Sequence, residues 1–248
     1  MKPKVIITWF APAFCFLLFW EFLIYVRPDF NFFLGSPTGV WLELLSALSN
    51  SLLYDIGVTA TEALTGFVAG TVVGTTLGLL LWLSPTIFHM MKPYVIAVGA
   101  IPVFALGPVV VFWFGTGMSS KIFIAFLSTV MIAFIHAYEG AVNVDPNLLR
   151  VMHALRSSKW TIYRKIIIPS ASLWMLAGIR LNISMALLGA FIGEFIASRA
   201  GLGHFIIVAE GLYNVNQIWV GILGLMFLAL VFHAATKPIE TWANMWKQ

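Results

Sequence analysis

The stretch V-D-P-N-L-L-R-V-M-H-A-L-R-S-S-K-W-T-I-Y-R-K-I-I-I-P, Val144 to Pro169, is a polar, helix-forming island between long apolar runs. Asp145 before Pro146 is a helix start, because the Asp side chain can accept from orphan backbone donors and proline's fixed φ suits the first helical position. Leu148, Leu149, Met152 and Leu155 then fall on one helical face, with Arg150, His153 and Arg156 over the remaining surface. Ser157 and Ser158 interrupt that period and can cap a second short helix, in which Trp160, Tyr163 and Ile167 lie three or four apart. Pro169 is expected to close the unit. Two short helices meeting at a serine corner make a plug that can dock in a groove on another protein, or a basic loop whose apolar face lies on lipid headgroups.

The chain around this island is apolar. Of 248 residues, 60% are hydrophobic and 10% charged, where a soluble domain carries charge on about a quarter of its residues. An integral membrane protein is expected, as a single domain covering 1–248. Six runs are long enough to cross the hydrocarbon core, at about 5–26, 56–83, 94–114, 121–138, 173–196 and 217–236. The first, 22 residues long, would extend about 33 Å as a helix. It exceeds a usual signal-peptide core and lacks a small-x-small cleavage site, so an uncleaved span is expected.

Gly66, Gly70, Gly74 and Gly78 recur at intervals of four in the second span, a ridge that lets another helix backbone approach closely. Glu62 lies near the outer end of the same span, where a buried ionisable group serves either a solute or a structural hydrogen bond. The third span is interrupted by Ile101-Pro102 and Gly107-Pro108, which mean a kink or a true break. Arg180, Asn182, Ser184 and Glu194 make the fifth span the most polar, and it is the candidate wall of a translocation pathway. For Arg180, snorkelling toward the surface is the competing reading.

Several chemistries are excluded or disfavoured. The chain contains no G-x-x-x-x-G-K-[ST], H-E-x-x-H or G-x-S-x-G, so ATP, if it drives the protein, binds elsewhere. The single cysteine, Cys15, sits in the first apolar run, and the five histidines share no ligand spacing. No metal, cofactor, catalytic residue or nucleic-acid partner is expected, and membrane lipid is. The net charge of +4 is read by side of the membrane. Lys2, Lys4, Lys92, Arg150, Arg156, Lys159, Arg164, Lys165, Lys237 and Lys247 fall on the side of the island and both termini, against Arg27, Lys121 and Arg199 opposite. The positive-inside rule makes that side cytoplasmic.

The segment 144–169 resembles the coupling loop of bacterial ABC importer permeases, most closely those of the nitrate, sulfonate and taurine type. The resemblance rests on V-D-P at Val144 to Pro146, on Leu149, Leu155, Ser158, Trp160, Arg164 and Lys165, and on I-I-I-P at Ile166 to Pro169. L-G-S-P-T-G-V-W (Leu34 to Trp41), I-P-V-F-A-L-G-P-V-V-V-F-W-F-G (Ile101 to Gly115) and G-L-G (Gly201 to Gly203) add to it. Arg150-Val151-Met152 stands where the family usually has Glu-Ala-Ala, and Arg156 where it usually has glycine. The resemblance implies an all-α type I importer permease with six transmembrane helices and a coupling loop between the fourth and fifth. It also implies a second permease copy or a sister permease, cytoplasmic ATPase subunits that hold ATP and Mg²⁺, and a periplasmic or lipid-anchored solute-binding protein. Asp145, Pro146, Leu149, Arg150, Leu155, Arg156, Ser158, Trp160 and Pro169 would then serve ATPase coupling, and the chain would sit in the bacterial cytoplasmic membrane without bond chemistry of its own. The rival is a transporter driven by an ion gradient, with Glu62 and Glu194 as proton or sodium sites.

Overall fold

The computed structural model describes the backbone of residues 3–245 and the side chains of 11–238. Lys2 and Lys247, and the side chain of Lys4, used above for orientation, lie outside the described residues.

Every regular element described is helical. In chain order they are α1 (Pro3–Val26), a short 3₁₀ turn (Pro28–Phe30) with α2 (Asn31–Leu34), α3 (Pro37–Ser49), α4 (Leu52–Trp82), α5 (Pro85–Gly99) and α6 (Val103–Phe114). There follow α7 (Met118–Val142), α8 (Pro146–Ala154), α9 (Lys159–Ile162), a π-helical turn (Tyr163–Ile167), α10 (Ile168–Ile196), α11 (Leu202–Gly211) and α12 (Val215–Met245). Among the described residues four helices are long and apolar enough to cross a membrane unaided, and two bent pairs raise the number to six if each pair is one span. One of those pairs resolves the proline question in the third span. α5 and α6 meet at 89°, so the interruption at Ile101-Pro102 is a true break. Pro108 is accommodated inside α6.

The bundle is organised on α7, which packs against both α4 and α10. A methyl group on Gly66 would meet the Ala125 side chain, one on Gly70 the Thr129 hydroxyl, one on Gly74 the Val130 carbonyl, and one on Gly78 the Phe134 carbonyl. The glycine ridge therefore faces Ala125, Thr129, Ala133 and Ala137, which recur at the same interval of four and are all buried. In lipid no hydrophobic force draws helices together, so this fit of backbone to backbone supplies the dispersion contact that holds them. Gly189 and Gly193 bring α10 against α7 in the same way, at Ser128, Ala125 and Ile124.

The periphery is held at one end by the stretch Leu34 to Trp41. Ser36 caps α3 by accepting from the Gly39 amide at 3.1 Å, and its own amide donates to Asn216 of α12 at 2.9 Å. Trp219 donates to the Leu34 carbonyl at 2.9 Å, and Trp20 of α1 donates to the Gly35 carbonyl at 3.1 Å. Glu21, at the end of α1, accepts from the Thr38 hydroxyl at 2.9 Å.

Candidate functional site: a coupling loop and a polar cluster at opposite ends

At the end of the bundle where α4 and α7 finish, the island folds as a two-helix corner. Asp145 caps α8 by accepting from the Asn147 amide at 2.8 Å, with Pro146 in the first turn. Ser158 caps α9 by accepting from the Thr161 amide at 3.2 Å. Between them Arg156 adopts φ +49°, a left-handed conformation that costs a side-chain-bearing residue about 1–2 kcal/mol. The corner thus has, at an arginine, the backbone that glycine adopts most easily.

Two expectations are corrected here. The leucine face of α8 does not act as one surface. Leu149 and Met152 turn inward onto a core of Leu79, Ala137, Ala141, Ile162, Tyr163 and Ile167. Leu148, Val151 and Leu155 point outward with Trp160, at 44%, 57%, 69% and 60% exposure. Helical spacing placed these residues on one side of the helix, yet the helix lies half sunk in its own bundle, so the stripe divides between core and surface. Pro169 also does not close the unit. It sits in the first turn of α10, and the π-helical turn before it shifts the hydrogen-bond register where proline has no N–H to give. The loop's second helix thus runs on from Lys159 to Ile196 without a stop.

This corner is fastened to α4 as well as to α10. Lys159 donates to the Leu83 carbonyl at 2.5 Å and lies 5.9 Å from the centre of the Trp82 ring. Trp82 stacks on Tyr163, which stacks in turn on Trp160. Arg150, Arg156, Arg164 and Lys165 are exposed around the rim.

The five pathway candidates are divided between two surfaces. Arg180 and Ser184 lie on an exposed face of α10 with Leu181 and Leu188, the Ser184 hydroxyl donating to the Arg180 carbonyl at 3.1 Å. Asn182 and Glu194 face inward. Asn182 donates to the Thr71 hydroxyl at 3.2 Å, while its Oδ1 is buried without a partner. Glu194 and Glu62 are in contact at the end of the bundle opposite the coupling loop, in a cluster with Asp55, Thr59 and Lys121.

This cluster is built around the start of α11. Thr59 donates to Glu194 Oε1 at 2.6 Å, and the Gly203 amide donates to Oε2 at 2.7 Å. The Gly201 amide donates to Asp55 Oδ1 at 2.8 Å, and the Leu202 amide to Thr59 Oγ1 at 2.9 Å. Three successive amides at a helix N-terminus are thereby satisfied by acidic and hydroxyl acceptors, where the helix dipole also favours negative charge. The G-L-G stretch permits this approach. Gly201 has φ +102°, and a methyl group on it would strike the Glu194 carboxylate. Lys121, fully buried, donates to the Thr116 carbonyl at 2.6 Å and is the cluster's counter-charge. Asp55 and Thr59 were not singled out from sequence, and Lys121 was read only as a charge on the outer side. The signal for the first two was present, since Asp55, Thr59 and Glu62 continue the glycine ridge toward the N-terminus of α4 at helical spacing. Among the described residues no three His, Cys, Asp or Glu side chains converge in a way that would hold a metal ion.

Residues 66–241, more than two thirds of the chain, match the family described as binding-protein-dependent transport system inner membrane component. The chain is 29% identical over 236 residues to the riboflavin transport system permease protein RibX of Chloroflexus aurantiacus, covering 93% of this chain and 87% of that protein. It is 28% identical over 200 residues to the putative aliphatic sulfonates transport permease protein SsuC of Bacillus subtilis, covering 81% and 72%. The fold is similar to that in an inward-facing structure of the MetNI methionine ABC transporter, with a TM-score of 0.68 and 17% identity over 77% of this chain and 95% of that one. With a two-helix corner at one end of a helical bundle and a family match through both, the chain belongs to the binding-protein-dependent transport system inner membrane components, as an ABC importer permease of the sulfonate and taurine type.

Proposed function

We propose that this chain is the membrane half of an ATP-driven importer for a small organic solute, and that the corner from Val144 to Ile167 is the seat of its ATPase. The observation that carries the reading is the exposed apolar group of Leu148, Val151, Leu155 and Trp160 on a corner otherwise fastened to its own bundle. Large apolar side chains with a basic rim, held rigidly at the end of a bundle, suit a groove on a soluble partner. ATP and Mg²⁺ belong to that partner. The basic residues around the corner make its side cytoplasmic, together with both chain termini.

Closure of two ATPase subunits would displace α8, and the continuous helix from Lys159 to Ile196 would carry the displacement along the bundle. The exposed face of α10 bearing Arg180 and Ser184 is where a second permease copy, or a sister permease, would meet this one and enclose the solute path. A solute-binding protein would deliver the solute at the opposite end. Riboflavin and aliphatic sulfonates, the solutes in the names of the two relatives above, support the class of small organic molecules.

The test is purification of the tagged chain from its native membrane in mild detergent, with mass spectrometry of everything retained in stoichiometric amount. Recovery of a protein carrying G-x-x-x-x-G-K-[ST] is expected. Recovery of the chain alone, still competent to transport without ATP, would overturn the reading in favour of a gradient-driven carrier.

A further inference from the structure

Glu62 of α4 and Glu194 of α10 share a side-chain hydrogen bond at the end of the bundle opposite the coupling loop. Two ionised carboxylates have no hydrogen to give each other, so this bond requires a proton on one of them. The surroundings say which. Glu194 accepts from the Thr59 hydroxyl at Oε1, at 2.6 Å, and from the Gly203 amide at Oε2, at 2.7 Å. Both of its oxygens are engaged as acceptors, one of them at the N-terminus of α11, which is the role of a carboxylate. Glu62 is therefore the donor and carries the proton.

The groups that face the pair agree with this. Asp55, also on α4, is ionised in its role as acceptor from the Gly201 amide at 2.8 Å. Lys121 on α7 is the base of the cluster and donates to the Thr116 carbonyl at 2.6 Å. α11 offers the Gly203 amide to Glu194 and the Leu202 amide to Thr59. Three acids around one base in a setting of low dielectric carry an excess of negative charge, which one retained proton lowers. Water can reach the pair. A cleft of about 340 Å³ opens at this end between the start of α4, the turn before α7 and the turn after α10, lined by Glu62, Tyr54, Thr116, Ser198 and Arg199. Glu62 stands at its inner wall, 2% exposed.

We propose that this proton is a pH-sensitive latch: while Glu62 holds it, α4 is joined through Glu194 to α10 and to the turn that starts α11, and its loss drives them apart. On release the O–H bond of Glu62 breaks, the electron pair stays on the carboxylate, and the proton passes to water in the cleft. Two facing carboxylates then repel each other. The proton is retained by the closed end and is not a transported ion. The importer reading supplies only the purpose, an opening of the receiving side that responds to pH there; the latch itself depends on this chain alone. The open, hydrated Glu62 releases its proton in the ordinary carboxyl range, at roughly pH 4. The latch is thus at full strength below that pH and weakens by about tenfold for each pH unit above it, because the closed end holds one proton that the open end does not.

The experiment is hydrogen exchange of the complete transporter in detergent between about pH 5 and about pH 8, above the range in which an open carboxyl titrates. Mass spectrometry follows the turn at 197–203, whose Gly201, Leu202 and Gly203 amides are held by Asp55, Thr59 and Glu194. Rates are divided by the intrinsic exchange rate at each pH, and the coupling corner at 146–158 is the internal reference. Protection of the turn is expected to fall by about tenfold per pH unit in the unsubstituted chain, while the reference stays level. Glu62→Gln gives Glu194 an amide donor that does not titrate, so the protection should remain and its slope with pH should vanish. If that variant does not fold, Glu194→Gln provides the same test, because its amide can donate to an ionised Glu62; protection is then lower throughout and again without slope. Three results would each overturn the assignment: protection independent of pH, protection lost toward acid as protonation of Asp55 or Glu194 would cause, or a slope that survives either substitution, as titration of Lys121 or Tyr54 would leave it. Loss of the ATPase from the preparation would instead count against the importer reading and leave the exchange result interpretable.

Discussion

Lys159 Nζ donates to the Leu83 carbonyl at 2.5 Å, joining residues 76 positions apart and tying the start of α9 to the end of α4. The ammonium caps a helix C-terminus, where the unsatisfied carbonyls and the dipole both favour a cation, and it also lies over the Trp82 ring. A displacement of the coupling corner is therefore delivered to α4 as well as to α10. Lys159→Met should weaken this link by about 1–2 kcal/mol and lower solute-stimulated ATPase activity by about tenfold, with the assembled complex retained. Lys165→Met, an exposed neighbour, should leave the activity unchanged.

The glycine ridge of α4 predicts a contrast between two alanines on one helix. Gly70→Ala would drive a methyl group into the Thr129 hydroxyl and destabilise the bundle by about 1–3 kcal/mol. Gly57→Ala meets nothing within 4 Å and should stabilise by about 0.5–1 kcal/mol, because alanine loses less backbone freedom in a helix. Thermal midpoints of the detergent-solubilised protein would separate the two.

That ridge was legible in the sequence and its partner was not. Ala125, Thr129, Ala133, Ala137 and Ala141 carry the same interval of four, but alanine is the default helix residue, so its recurrence stands out less than that of glycine. The caps at Asp145 and Ser158 were legible because capping is a local interaction between residues two or three apart. The inward or outward facing of Glu194, Asn182, Arg180 and Ser184 was not, since all four are polar residues on one apolar helix. Their faces are decided by α4 and α7, which lie far away in sequence. The same limit explains α8, whose leucine stripe was visible as a stripe and whose division between core and surface depends on how deeply the helix sits.

Arg156 holds a left-handed conformation that glycine adopts without penalty. Arg156→Gly should stabilise the corner by about 1 kcal/mol, slowing hydrogen exchange in residues 146–158 by about fivefold. Arg156→Val should accelerate it, since a β-branched residue is poorly tolerated at positive φ.

Glu194 accepts from Thr59 and from the Gly203 amide inside the bundle. Glu194→Ala would leave both donors without an acceptor and add a cavity, at a cost of about 3–5 kcal/mol. The thermal midpoint should fall and the turn at 197–203 should become open to proteolysis. Glu194→Gln keeps one acceptor oxygen and the side-chain volume, so about half of the loss is expected.

The most direct test of the coupling assignment is retention of the ATPase by a permease carrying Leu148→Asp and Leu155→Asp together. Both side chains are exposed, at 44% and 69%, and neither belongs to the core beneath the corner, so the permease itself should unfold at its normal temperature. Quantitative mass spectrometry of the detergent-purified complex is expected to find the ATPase in stoichiometric amount with the unsubstituted chain and at least about tenfold less with the variant, the consequence of burying two charges in an apolar groove. Undiminished retention of the ATPase by the doubly substituted chain would contradict the assignment of the Val144 to Ile167 corner as its seat.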